Sequence, residues 1–91
     1  MEFTHNTNQI AVYNQDYVVI AEVTFPAVED NIVNVDHTYV NDVLQGQGIA
    51  GKLMNELVSD LRSTGRKATL TCSYAVNWFK KHPECADVLV R

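Results

Sequence analysis

The sequence predicts an α+β fold: a mixed, mostly antiparallel sheet with two helices, in the order β-β-β-α-β-α. Three observations predict it. Runs of β-branched and aromatic residues alternate with turn residues up to Val40. A broad apolar stripe of helical period follows, from Ile49 to Leu61. A short β-branched run and a second, shorter helical pattern then close the chain.

Asn8–Tyr13 (NQIAVY) reads as the first strand, and Asn14–Asp16 (NQD) as a turn, because Asn and Asp side chains bond their own backbone there. Tyr17–Phe25 (YVVIAEVTF) makes the second strand. Pro26 ends it, and AVEDN makes a second loop. Ile32–Val40 (IVNVDHTYV) alternates as a third strand, so Val33, Val35, His37 and Tyr39 are expected on one face and Asn34, Asp36 and Thr38 on the other. The short connections fit an antiparallel meander. Ile49, Leu53, Leu57 and Leu61 recur every fourth residue, flanked by Ala50, Met54 and Val58, which predicts an amphipathic helix. Gly65 stops it as the first residue beyond the helix. Arg66–Cys72 (RKATLTC) is a fourth strand, and Ser73–Lys81 a shorter helix with Pro83 just beyond its end. The tail CADVLVR is too short to assign.

The 91 residues suit one domain, 1–91, and 46% apolar content suits a packed core. The net charge of −4 and the absence of a Lys/Arg run argue against a nucleic-acid partner. Apolar runs such as Tyr17–Ala21 are too short to cross a membrane, and the polar start MEFTHNTNQ is no signal peptide. Cys72 and Cys85 do not make a disulfide framework, so reduced thiols in the cytoplasm are expected. No His/Cys cluster has metal-ligand spacing, and no metal is expected.

Three phosphate-binding signatures overlap at Leu44–Met54 (LQGQGIAGKLM). Gly46, Gly48 and Gly51 spell G-x-G-x-x-G, Gly46–Lys52 spell G-x-x-x-x-G-K, and Gln45, Gly48 and Ala50 spell Q-x-x-G-x-A. All would set an anion at a helix N-terminus, where free N–H groups and the dipole favour negative charge. The dinucleotide fingerprint needs a first βαβ unit and an acid about 20 residues on. Here a meander precedes it, and residues 69–73 contain no acid. The P-loop needs Ser or Thr after the Lys, and this chain has Leu53. The third pattern has its context: a strand, a short loop, a long amphipathic helix, then a strand and a short helix. A glycine-rich turn without a ligand is the bland alternative, weakened by the entropic cost of three glycines within six residues.

With HTYVNDVLQGQGIAGKLM and CSYAVNWFKKHPE both present, the chain resembles the GNAT superfamily of N-acetyltransferases, and within it the small YjdJ-type branch, over roughly Asn31 to Asp87. The resemblance implies a sheet splayed open near the loop, with acetyl-coenzyme A or coenzyme A in the gap. It implies that the backbone of Tyr39 and Val40 pairs with the pantetheine arm, and that N–H groups of Gln45, Gly46, Gln47, Gly48, Ile49, Ala50 and Gly51 hold the pyrophosphate. Gly48→Val is then expected to abolish binding with little change in unfolding. The family pattern N-x-x-A-x-x-x-Y-x-x-x-G falls on Cys72, Ala75, Phe79 and Pro83, so Phe79 stands where the family has a tyrosine that protonates the leaving thiolate.

Cys72 ends the fourth strand, where the resemblance puts the acetyl thioester; its thiolate is a candidate acetyl acceptor, activated by His37 on the neighbouring strand. The competing readings are a small core cysteine and a satisfied sheet histidine. Tyr74 is a candidate substitute for the missing acid, whereas Trp78 and Phe79 read as core. Two functions follow: acetyl transfer to a small amine or thiol acceptor, or a module that holds acetyl-coenzyme A without turnover.

Overall fold

The computed structural model describes residues 1–90. Its strands are β1 (Thr4–Asn6), β2 (Gln9–Tyr13), β3 (Val19–Thr24), β4 (Ala27–Glu29), β5 (Ile32–Val35), β6 (His37–Val40) and β7 (Lys67–Leu70). The helices are α1 (Ile49–Thr64) and α2 (Ser73–Lys81), with 3-10 segments at Asp42–Leu44 and Pro83–Val88. The α+β class and the mixed, mostly antiparallel sheet hold.

Several boundaries differ from expectation. The Asn14 turn runs on to Val18, because Asn14 Oδ1 accepts from the N–H of both Asp16 (2.8 Å) and Val18 (3.0 Å). The predicted AVEDN loop contains β4, which forms a tight hairpin with β5 because Asn31 turns the chain at φ 62, a conformation Asn tolerates. β1 and the C-terminal 3-10 segment were not assigned from sequence; each is too short to carry a period. Arg62 grips that last segment, donating to the Asp87 carboxylate at 2.7 and 3.0 Å and to the Glu84 carbonyl at 3.2 Å.

The main correction concerns the third strand. Ile32–Val40 breaks at Asp36 into two strands that belong to different sheets: β1-β2-β3-β6, all antiparallel, and β4-β5-β7, in which β5 and β7 run parallel. Asp36 is pinned to β3, its N–H donating to the Thr24 carbonyl (3.2 Å) and its carboxylate accepting from the Thr24 hydroxyl (2.5 Å). An unpaired residue in a strand shifts the alternation by one. Val33 and Val35 are buried, but beyond Asp36 it is Thr38 and Val40 that lie on the core side, across from buried Val23 and Ala21. His37 and Tyr39 turn to the outer face, across from Thr24 and Glu22. The expectation that His37 and Tyr39 share the face of Val33 and Val35 is therefore wrong.

The core sits between α1 and the inner sheet faces. Leu53, Met54, Leu57 and Leu61 of α1 are fully buried with Ile10, Val23, Phe25, Val33 and Val35. The helix begins at Ile49 and ends against Gly65 at φ 72, as the apolar stripe and the glycine predict.

Candidate functional site

The split at Asp36 creates the site. Val35 is the last residue of β5 held by the second sheet: its carbonyl accepts from the N–H groups of Thr71 and Cys72, both at 3.0 Å. Past that point β7 has no partner in β6, and β6 is an edge strand of the first sheet. Its backbone N–H and C=O groups on the side away from β3 are open to an added strand.

At the far end of β6 the chain makes a 3-10 turn, capped by Asn41, whose side chain accepts from Val43 N–H at 3.0 Å. It then crosses the glycine loop into α1. Val40, Leu44, Gln45, Gly46, Gly48, Ile49 and Ala50 line a cavity of about 290 Å³ there. Gly48 is the N-cap of α1, with no side-chain cap and no acid in the first turn. The first turn's N–H groups therefore lack both an intrahelical partner and a competing carboxylate, a setting that favours an anion. Leu44 was not anticipated; a buried apolar residue directly before a glycine loop was its only signal. Gln47 is exposed in the loop, and Gly51 lies inside α1 facing α2. Tyr39 presents its side chain on the outer face, where its hydroxyl accepts from the Asn41 amide at 3.1 Å.

Gly46 and Gly48 have φ of +82° and +69°, with nothing within 4 Å of an added Cβ. Glycine is needed for backbone conformation, not for space. The expectation that Gly48→Val leaves unfolding unchanged is corrected accordingly: a branched residue in the left-handed region costs about 1–3 kcal/mol. Thermal unfolding of Gly48→Val is expected several degrees below wild type, measured by circular dichroism.

Cys72 is the N-cap of α2 and half-buried at the apex of the split. Its Sγ lies 3.4 Å from the Thr38 hydroxyl. Burial opposes its ionisation, but the Thr38 hydroxyl and backbone groups of Ala75, Tyr74 and Thr38 outweigh burial together, so the thiol's pKa lies below the usual cysteine value. Cys85 goes the other way: it is buried, and burial and then the neighbouring Glu84 push its thiol up. His37 does not meet Cys72. Its ring stacks beside Tyr39 at 6.5 Å on the outer face, with Nε2 4.0 Å from Glu22 Oε2. Glu22 is in turn held by the Gln9 amide at 2.7 Å. The predicted His37–Cys72 pairing is thus replaced by Thr38–Cys72, a consequence of the one-residue slip. Thr38 gave no local signal, because uninterrupted alternation put it on the opposite face.

Phe79 is buried in the core, as is Trp78. The Trp78 indole stacks on His82, with ring centroids 3.8 Å apart. Burial raises the Tyr74 hydroxyl's pKa, so it keeps its proton at neutral pH. A larger cavity, about 580 Å³, lies by the β2–β3 hairpin, but none of the loop residues, Cys72 or His37 lines it. Among the described residues no cluster of His, Cys, Asp or Glu could hold a metal, and no helix is long and apolar enough to cross a membrane.

Comparison with known proteins agrees with this geometry. A family model for GCN5-related N-acetyltransferases matches residues 9–88. A GCN5-like protein from Staphylococcus aureus, solved by NMR in solution, is 31% identical, with a TM-score of 0.79 over 98% of this chain and 87% of that one. Tetrahymena GCN5 shares the fold at 16% identity and a TM-score of 0.64, over 91% of this chain and 59% of that one. Rv2747 of Mycobacterium tuberculosis, crystallised with CoA, shares it at 13% identity and a TM-score of 0.62, over 84% of this chain and 47% of that one. A comparison with curated protein sequences gives no match.

Proposed function

The chain belongs to the GCN5-related N-acetyltransferase family, and from that premise we propose that it binds acetyl-coenzyme A and passes the acetyl group to a small amine or thiol acceptor. The observation that carries the reading is the open edge of β6 facing β7 and ending in a glycine loop with an uncapped helix N-terminus. The bound CoA of Rv2747 supports the choice of cofactor. We further assign the chain to the small YjdJ-type branch, on its Cys-Ser-Tyr helix start and His-Pro ending.

In this reading the N–H groups of Gln45 to Gly51 hold the pyrophosphate, and the backbone of Tyr39 and Val40 pairs with the pantetheine arm. The cofactor supplies an activated acetyl thioester. Thr38 and the start of α2 favour the Cys72 thiolate, which attacks the thioester carbonyl; acetyl-Cys72 forms and coenzyme A leaves as its thiolate. The acceptor then attacks acetyl-Cys72 and releases the cysteine. The acceptor's proton passes to solvent, because His37 lies on the outer face of β6 beside Glu22 and away from the thiol. One core drawing on both sheets and both helices supports reading 1–91 as one domain, and two free thiols support a cytoplasmic setting.

Buried Phe79 favours a second reading, a coenzyme A-binding module without turnover, because it has no proton for the leaving thiolate. Incubation with acetyl-coenzyme A distinguishes the two, with free thiol followed in solution and the protein's mass followed by spectrometry. Thiol release with acetylated Cys72 is expected. Saturable binding without release would establish the binding module. Absence of binding, or saturation by NAD or Mg-ATP in its place, would overturn both.

A further inference from the structure

Charge is divided unevenly along the chain. All seven Lys and Arg residues lie at Lys52 or beyond, while residues 1–51 hold seven of the eleven carboxylates. The β1-β2-β3-β6 sheet is built wholly from that acidic half. The cavity of about 580 Å³ beside the β2–β3 hairpin belongs to the same half, and its size suits a small organic ligand. Val12 and Ile20 give it an apolar wall, Tyr13 and Tyr17 supply two aromatic rings, and Glu2 is its one carboxylate. No Lys, Arg or His lines it. Met1 lines it as well, but neither its α-amino group nor Glu2 makes an ion pair among the described residues.

Tyr17 stands at this cavity under strain. Its φ of 61° is in the left-handed region, where a bulky aromatic residue is an outlier. The hairpin holds it there: Tyr17 N–H donates to the Asn14 carbonyl at 3.0 Å, and Asn14 N–H donates to the Val18 carbonyl at 2.9 Å. Yet Tyr17 is 88% exposed, so its ring adds almost nothing to the core. Core packing therefore does not explain a strained backbone that presents a large ring beside a cavity, whereas a ligand does. The lining selects the ligand's charge. Aromatic faces attract cations, a carboxylate adds to that attraction, and the acidic half of the chain repels anions. We propose that this cavity binds an organic ammonium ion with an apolar body. Glu2 pairs with the nitrogen, Tyr13 and Tyr17 offer their rings to it, and Val12 and Ile20 take the body. No residue of β6, the glycine loop or α2 lines the cavity, so the site is separate from the split and does not rest on the acyl-coenzyme A reading.

The test uses three probes with one phenyl body and three charges: 2-phenylethylamine, 2-phenylethanol and phenylacetate. Each is titrated into the isotopically labelled whole chain at neutral pH, and binding is followed through backbone amide shifts. The amine is expected to bind at least about tenfold more tightly than the alcohol, the scale of a cation–π contact together with a partly screened ion pair. Phenylacetate should bind most weakly. The shifts should concentrate at Thr4, Tyr13, Tyr17 and Ile20. Glu2→Gln keeps the shape and removes the charge, so it should weaken the amine about fivefold and leave the alcohol within about twofold. Tyr17→Asn removes the ring and should weaken the amine about fivefold. Its unfolding midpoint should hold or rise, because Asn tolerates the left-handed conformation. The site is overturned by similar affinity for all three probes, by shifts centred on Thr38 and Cys72, or by amine affinity unchanged in either variant. Absence of a saturable shift with the amine would overturn it as well.

Discussion

Ala50→Glu is expected to weaken coenzyme A binding on the order of a hundredfold while leaving the protein folded. The first turn of α1 holds no acid, and its N-cap, Gly48, offers no side chain to its free N–H groups. A carboxylate at Ala50 would take up those groups and stand a few ångströms from the pyrophosphate. Two unit charges at about 4 Å interact by roughly 1 kcal/mol in water and about 4 kcal/mol near a protein surface, so the doubly charged pyrophosphate loses roughly 2–3 kcal/mol after partial screening. The same carboxylate suits the positive end of the helix dipole, which adds roughly 0.3–1 kcal/mol to stability. The unfolding midpoint should therefore hold or rise as affinity falls. Ala50→Gln, of the same shape without the charge, should lose less than about fivefold. Titration at two salt concentrations separates the causes: the gap between Glu and Gln must narrow at high salt. Unchanged affinity in Ala50→Glu would remove the pyrophosphate from the loop.

Cys72 should react with iodoacetamide at least about tenfold faster than Cys85 at pH 7. A thiol reacts through its thiolate, and an ordinary cysteine with a pKa of about 8.5 is only a few per cent ionised at that pH. In Cys72 the Thr38 hydroxyl and the start of α2 outweigh burial and lower the pKa, so its thiolate fraction at pH 7 is larger and its rate profile has a midpoint shifted to lower pH. Burial and Glu84 shift the Cys85 profile to higher pH, and Cys85 is also closed to the reagent. Thr38→Val keeps the branched shape in β6 and removes the hydroxyl, so it should slow Cys72 and move its midpoint up. His37→Ala should leave the rate within about twofold, because the imidazole is on the outer face. Bound coenzyme A should protect Cys72. Slowing by His37→Ala without slowing by Thr38→Val would refute the geometry of the split, and absence of protection would take Cys72 out of the cofactor gap.

Sequence alone determined what depends on local period and on single residues. The stripe from Ile49 to Leu61 specified α1, because each apolar residue falls on one face whatever the helix packs against. Gly65 specified its end, because the left-handed conformation there excludes most other residues. The order of residues in the loop also separated three phosphate signatures, through Leu53 and the missing acid. Tertiary structure alone decided the identity of the strands around Asp36. Val33 to Tyr39 alternates without interruption, and nothing local marks the slip. The break exists because β5 pairs with β7, more than thirty residues away, while β6 pairs with β3. Two partners that diverge cannot both be followed by one continuous strand, and Asp36 absorbs the mismatch by bonding to Thr24. From that single residue follow the open edge of β6, the turn of His37 to the outer face and the contact of Thr38 with Cys72. A pattern read along the chain records which residues can alternate. Which face each one takes is fixed by long-range pairing, and that is why Thr38 rather than His37 stands at the thiol.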